Sequence, residues 1–332
     1  MTDRATAIEG FVSRAGWADA VRRPLAGDAS TRRYERLSQP DGRTTVLMDA
    51  GGDGAGTTRF CRIARHLQGL GLTAPTILAE DHGAGLLLLE DLGDAVFARV
   101  LDRDRSGESR LYSSAIDALA AMATAPVPGD LPVFRAPQLV ATAAAAVGWY
   151  PGVSETAGQS ILGALAESLA PLDAVPRRLC LRDFHAENLI WLPERKGVQR
   201  AGILDFQDAV AGHPAYDLVS LLTDARRDVA PATRTEMTAR FLAAAGLDPA
   251  RFAADFATLS AQRNLRILTQ FARLAIRDGK PGYLPLMPRV WGNLILALEH
   301  PDLARLKAEV AAAIRPPDTT VLAEIRAACV PS

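Results

Sequence analysis

The feature that most restricts the fold is a change of pattern at Asp91-Leu92-Gly93-Asp94. Before it, short apolar runs alternate with turn residues; after it, alanine and leucine recur at helical spacing. A strand-rich block followed by a helix-rich block specifies an α+β chain, not a repeating βαβ one. Arg33–Leu37 and Thr44–Asp49 read as strands joined by the hairpin signal Pro40-Asp41-Gly42, and Gly27-Asp28-Ala29-Ser30 reads as a turn. Ile8, Phe11, Val12 and Ala15 predict an amphipathic opening helix. The glycine-rich loop Gly51 to Gly56 leads into a second helix carrying Phe60, Ile63, Ala64 and Leu67. Thr76–Ala79 and Leu86–Leu89 are two further strands, the second apolar enough to be buried on both faces. Helices follow to about Ala170, broken by Pro126, Pro128, Pro132 and Pro151; short strands at Leu189–Leu192 and Ala201–Leu204 precede a mostly helical remainder. The chain shows no internal repeat and no low-complexity linker.

Composition narrows the function. The 332 residues include 37 basic and 38 acidic ones, and the net charge of −1 argues against nucleic acid or an anionic membrane as partner. No apolar run reaches the ~18–20 residues of a spanning helix, and the acidic start lacks the pattern of a secretion signal. Cys61, Cys180 and Cys329 are far apart without a C-x-x-C, which argues against a disulfide framework or a structural zinc site and for a cytoplasmic protein. Only Lys196, Lys280 and Lys307 are lysines, so any phosphate contact before residue 196 falls to arginine.

The chemistry concentrates in Leu181-Arg182-Asp183-Phe184-His185-Ala186-Glu187-Asn188 and Ile203-Leu204-Asp205-Phe206-Gln207. The first holds Asp-x-x-x-x-Asn before an apolar strand, and the second ends a strand on another Asp. Phosphoryl transfer from ATP needs such a set: one carboxylate orients the attacking hydroxyl, while an amide and a second carboxylate hold Mg²⁺. Each segment alone is also compatible with turn hydrogen bonding.

With these motifs the chain resembles the aminoglycoside phosphotransferase and choline kinase-like branch of the protein-kinase-like fold. Within it, the chain looks most like bacterial kinases acting on the anomeric hydroxyl of N-acetylmuramic acid and N-acetylglucosamine. Gly27 to Tyr34 resembles the family's nucleotide-positioning loop and second strand, Val46 to Ala50 its third strand, and Leu88 to Asp94 its adenine hinge. Trp149-Tyr150 lies where the group carries an aromatic pair on a helix; Gly212, Tyr216-Asp217-Leu218, Phe271 to Leu274, Arg277 to Lys280 and Tyr283-Leu284 resemble its later motifs. The resemblance implies a two-lobe fold, with a small antiparallel-sheet N-lobe over 1–91 and a larger helical C-lobe over 92–332. It implies Asp183 as catalytic base, Asn188 and Asp205 as Mg²⁺ ligands, and Ser30, Thr31, Arg32, Arg33, Glu90, Asp91 and Leu92 as the ATP site. Trp149, Tyr150, His185 and Glu187 are candidate acceptor contacts.

Two departures stand out. Leu181 replaces a His common two residues before the catalytic Asp, and the third strand has Met48 where many kinases have Lys, with no glutamate between Thr57 and Gly71 to pair with one. Arg32, Arg33 or Arg36 could supply the phosphate charge, or face solvent. Gly51 to Thr58 has glycine spacing near that of a P-loop, but Thr57 stands in place of its lysine. His185-Ala186-Glu187 lacks the cysteines of a zinc deaminase. His185 fits loop packing or substrate contact, and Glu187 faces solvent or a substrate cation. Trp149 and Tyr150 fit sugar stacking or a core. Arg263, Arg266, Gln270, Arg273 and Arg277 form a polar helical stripe, solvated or bordering the acceptor. The expected protein is thus an ATP- and Mg²⁺-dependent small-molecule kinase, monomeric or weakly dimeric. The alternatives are an aminoglycoside or choline-type phosphotransferase and a non-catalytic nucleotide-binding pseudokinase.

Overall fold

A computed structural model describes residues 2–25 and 32–329. Ser30 and Thr31 of the expected nucleotide loop lie outside them. The strands are β1 (Val21–Pro24), β2 (Arg33–Ser38), β3 (Thr44–Asp49), β4 (Ile77–Asp81), β5 (Leu86–Glu90), β6 (Arg178–Cys180), β7 (Leu189–Trp191), β8 (Ala201–Ile203) and β9 (Val210–Gly212). The helices are α1 (Thr2–Arg14), α2 (Gly54–Gly69), α3 (Phe97–Arg103), α4 (Glu108–Thr124), α5 (Ala136–Val147), α6 (Glu155–Leu169), α7 (Tyr216–Leu222), α8 (Pro231–Ala245), α9 (Pro249–Asp278), α10 (Met287–Leu298), α11 (Ala304–Ala313) and α12 (Thr319–Ala327). Two compact units emerge: residues 1–105 with 187–208, and residues 106–186 with 209–332.

The first unit is built on a five-stranded antiparallel sheet of order β1-β2-β3-β5-β4. The β2–β3 hairpin turns at Gly42, whose φ of +88° favours a residue without Cβ. Ile8, Phe11 and Val12 of α1 share one core with Leu37, Leu47, Leu86 and Leu88. Leu87 and Leu89 point to the other face of β5, and α2 also packs on that strand. Cover on both faces is why the Leu86–Leu89 run is unbroken. The edge strand β1 has four exposed residues and ends in proline, which suits an edge. The β7–β8 hairpin joins this unit through Ile203 N–H to Thr73 C=O and Trp191 N–H to Ala95 C=O, both 2.8 Å.

The second unit is helical apart from the short β6–β9 pair. Its spine is α9, 30 residues and about 45 Å long. Asp248 caps its start by accepting Ala250 N–H, Pro249 occupies the first turn, and Gly279 ends it at φ +62°. Leu259, Leu265, Leu268, Ala272 and Ala275 form its buried stripe. No helix among the described residues is long and apolar enough to cross a membrane.

Candidate active site

The β7–β8 register pairs Leu189 with Ile203, so the residues flanking the hairpin meet: Leu204 N–H donates to Asn188 C=O at 2.9 Å. That pairing sets the Asn188 amide 3.5 Å from Asp205 Oδ2. Asp205 has φ +54°, a conformation uncommon outside glycine, and the buried Gln207 side chain donates to its Oδ1 at 2.7 Å. Phe206 is fully buried and packs on Phe60 of α2, ring centroids 4.7 Å apart. Anchoring on both sides thus aims the Asp205 carboxylate. Carboxylate and amide oxygens are ligands that hard cations take, so Asn188 and Asp205 suit Mg²⁺; a half-turn of the Asn188 amide would present its oxygen.

The expected adenine segment is fixed in the same unit. Glu90 N–H donates to Thr76 C=O at 2.8 Å; its carboxylate accepts from Thr76 N–H and Oγ1 and pairs with Arg195. Asp91 is gripped by Arg36 at 2.7 Å and by Gly93 N–H, and Arg36 also holds Asp94. That double ion pair removes Arg36 from the candidates for phosphate contact. Leu92 lies over Gly202 of β8: a Cβ there would come 3.1 Å from Leu92 Cδ1 and 3.2 Å from Ile190 Cβ.

Arg32, Tyr34 and Arg36 share a face of β2, while Arg33 takes the other and is exposed. Arg32 hydrogen-bonds the Tyr34 hydroxyl, whose pKa burial pushes up, Arg32 pulls down and the charge of Asp205 again raises. Arg32 is therefore the arginine directed toward the Asp205 end of the unit. Met48 pairs with Tyr34 across β2–β3 and is fully buried. The Gly51-Gly52 turn connects β3 to α2, which Asp53 caps by accepting Gly56 N–H.

Asp183 belongs to the second unit, where an unusual frame holds its loop. Arg182 has φ +75°. Its N–H donates to Asp217 Oδ1 at 2.8 Å, Leu181 N–H donates to Oδ2 at 2.6 Å, and the Cys180 thiol lies 3.4 Å from Oδ1. Arg263 donates to Arg182 C=O at 3.3 Å, and the Arg182 guanidinium lies 5.4 Å over the Phe134 ring. Burial pushes the Asp217 carboxyl up to about 6, opposed by the hydrogen bonds of Leu181, Arg182 and Cys180. Leu181 itself is buried.

Among the candidate acceptor residues, His185 is buried and desolvation pushes its imidazole below the ordinary value, against the charge of Asp224. Tyr150 is buried and donates its hydroxyl to Arg315 C=O at 2.6 Å, which makes it a packing residue. Trp149 is exposed in the turn after α5 and not on a helix. Glu187 is exposed, in the first unit. The arginine stripe is not uniformly solvated, since Arg263 is buried over the Tyr216 ring. The sequence places Arg263 only in a polar stripe and Asp217 only in a family-like motif, and it singles out neither the buried Gln207 nor Asp224. Asp224 is 3% exposed; Oδ1 accepts Arg226 N–H at 2.8 Å and Oδ2 has no hydrogen-bond partner.

Comparison with known proteins follows the same lines. The profile of the phosphotransferase enzyme family matches residues 21–256. An N-acetylmuramate/N-acetylglucosamine kinase of Caulobacter vibrioides is 39% identical over 349 aligned positions, covering 92% of this chain and 96% of that protein. One of Pseudomonas aeruginosa is 34% identical, covering 88% and 89%. A choline/ethanolamine kinase family protein of Mesorhizobium loti superposes with a TM-score of 0.62 at 15% identity, covering 93% and 100%. An aminoglycoside phosphotransferase of Streptomyces rimosus, solved with ADP and streptomycin, gives 0.54 at 18%, covering 79% and 97%. These likenesses show a shared protein-kinase-like α+β fold.

Proposed function

Because the chain belongs to the phosphotransferase enzyme family, we propose that it transfers the γ-phosphoryl group of ATP to the anomeric hydroxyl of an N-acetylated amino sugar. The carrying observation is the Asn188–Asp205 pair, two oxygen-donor side chains set side by side in the unit that also holds Glu90 to Leu92 and Arg32. In this reading Asn188 and Asp205 hold Mg²⁺, which when bound offsets charge on the phosphates. Arg32 contributes positive charge, and backbone groups of Glu90 to Leu92 meet the adenine.

Asp183 takes the proton of the acceptor hydroxyl as its oxygen bonds to the γ-phosphorus and the bond to the β-phosphate oxygen breaks. The anomeric hydroxyl is the most acidic one of a free sugar and so demands least of the base. Asp224 is the acceptor contact we assign beside it: a buried carboxylate oxygen without a hydrogen bond suits a sugar hydroxyl donor. Support for the acceptor class comes from relatives named N-acetylmuramate/N-acetylglucosamine kinases that align along nearly their full length.

ADP release measured with N-acetylmuramic acid, N-acetylglucosamine, their 1-O-methyl glycosides, kanamycin and choline tests the reading. Turnover is expected with the two free sugars and not with the blocked glycosides. Turnover of kanamycin or choline alone would overturn the acceptor, and none with any acceptor would favour a pseudokinase. Asp183→Asn is expected to lower kcat by orders of magnitude with ATP affinity unchanged, and Asp205→Ala to abolish Mg²⁺-dependent ATP binding in a calorimetric titration.

A further inference from the structure

Cys61 of α2, Glu80 of β4 and His82 just beyond it carry ligand atoms that all lie within 4.8 Å of one another. Cys61 is buried and its thiol hydrogen-bonds the Glu80 carboxylate. His82 Nε2 is 3.7 Å from Glu80 Oε2. The other ring nitrogen, Nδ1, is 2.9 Å from Thr57 Oγ1. The single hydroxyl proton of Thr57 goes to Gly54 C=O, also at 2.9 Å. With the Thr57 proton on that carbonyl, the matching tautomer has Nδ1–H donating to Thr57 and the Nε2 lone pair toward the carboxylate, 3.7 Å away. A hydrogen bond that fixes the tautomer from behind is the usual support of a metal-binding histidine.

We propose that Cys61, Glu80 and His82 form a site for a thiophilic divalent cation of the Zn²⁺ class, with water as fourth ligand. Sulfur, imidazole nitrogen and one carboxylate are the donors zinc takes, whereas the all-oxygen Asn188–Asp205 set suits Mg²⁺. None of the three ligands has a part in the proposed phosphoryl transfer. Binding forms a sulfur–metal bond, and the thiol proton leaves to solvent; no electron transfer is involved. Arg65 holds Glu80 Oε2 at 2.7 Å from the exposed side, which fixes the carboxylate beside the thiol and the imidazole. The sequence gives no notice of the site because Cys61 is far from Glu80 and His82 along the chain. Its effect would be to tie α2 to the end of β4, one residue from the Phe60 that packs on Phe206.

The test is a titration of the reduced, metal-free full-length protein with Co²⁺ in excess Mg²⁺, followed by absorbance. One equivalent is expected to raise a near-ultraviolet thiolate-to-cobalt band that Zn²⁺ then removes. The band should be absent in Cys61→Ser and in His82→Ala, and present in Cys329→Ser. Zn²⁺ at about 100 times its Kd should raise the Tm of the wild type by about 5 °C, and not that of Cys61→Ser. No thiolate band in the wild type, or an unchanged band in Cys61→Ser, would overturn the proposal. Neither readout depends on the acceptor or on activity, so failure here is separable from failure of the kinase reading.

Discussion

Asp217 holds Arg182 in a left-handed backbone conformation: Asp217 Oδ1 accepts the Arg182 N–H at 2.8 Å while Arg182 sits at φ +75°. A non-glycine residue at such a φ costs free energy that the surroundings must offset. Here the offset comes from a charge-assisted hydrogen bond, from Arg263 on the Arg182 carbonyl, and from the Phe134 ring under its guanidinium. The residue so fixed immediately precedes Asp183. Leu181 has no polar side chain to brace the loop, but its own N–H also ends on Asp217. Loop rigidity therefore comes from α7, through the Asp217 carboxylate.

Asp217 makes stability depend on pH with a definite sign. Its carboxyl is raised to about 6 in the folded protein, above the unfolded value of 3.8, so the native state binds the proton more tightly. The contribution is fully present below about pH 4 and is lost as pH rises through about 6. A shift of about two pH units corresponds to roughly 3 kcal/mol. Urea unfolding of wild type and Asp217→Asn at several pH values should show the wild-type advantage shrinking from pH 4 to 6, then levelling. A difference independent of pH would contradict the assignment. The same variant should lower kcat while leaving ATP affinity intact, because no residue of the proposed ATP site touches Asp217.

A Cβ at Gly202 would press on Leu92, Ile190 and Leu192 at 3.1–3.2 Å, so these side chains would have to give by a few tenths of an ångström. Gly202→Ala should overpack this contact, cost about 1–3 kcal/mol of stability and displace the segment proposed to meet adenine. Steady-state kinetics are expected to show a higher KM for ATP with the sugar KM unchanged. An unaltered KM for ATP would separate Leu92 from nucleotide binding.

Much of this arrangement is legible in the sequence where a local rule has enough residues to act on. The β2–β3 hairpin follows from Pro40-Asp41-Gly42 between two six-residue strands, and β5 from its four consecutive leucines. The spacing of Asp183, Asn188 and Asp205 matches the set that phosphoryl transfer needs and is readable along the chain. β6 and β9 span three residues each, too few to show a period, and β1 reads Val-Arg-Arg-Pro without alternation. Arg263 escapes for a different reason. Helical periodicity assigns it to a polar stripe, but only tertiary packing shows that the stripe is buried at that end against Arg182 and Tyr216. Tyr150 is likewise settled by a partner 165 positions away, the Arg315 carbonyl.

Asp224 supplies a test of the acceptor side. Asp224 is 3% exposed, its Oδ2 has no hydrogen-bond partner, and its charge acts on His185. Asp224→Asn keeps the shape and removes the charge, and it should raise the sugar KM by about tenfold, the worth of one hydrogen bond to a charged group. The KM for ATP should stay within about twofold, as expected for a substitution outside the nucleotide contacts. Equal effects on both substrates would mark Asp224 as a folding residue.

The phosphates still need positive charge in a chain with no lysine before Lys196. Strand alternation separates the candidates: Arg32 shares the Tyr34 face and hydrogen-bonds that hydroxyl, Arg33 is exposed on the other face, and Arg36 is committed to Asp91 and Asp94. Arg32→Ala should therefore cost at least ~1.5 kcal/mol in kcat/KM for ATP, and Arg33→Ala less than ~0.5 kcal/mol. Met48→Lys should not restore a kinase-like ion pair. Position 48 is fully buried opposite Tyr34 and Leu87, and α2 carries no glutamate to receive the amine. An ammonium group there would be desolvated without a partner, so the variant should lose stability and gain no activity. Increased turnover in Met48→Lys, or full activity in the Arg32/Arg33 double alanine variant, would show that the charge opposite the metal comes from elsewhere in the chain.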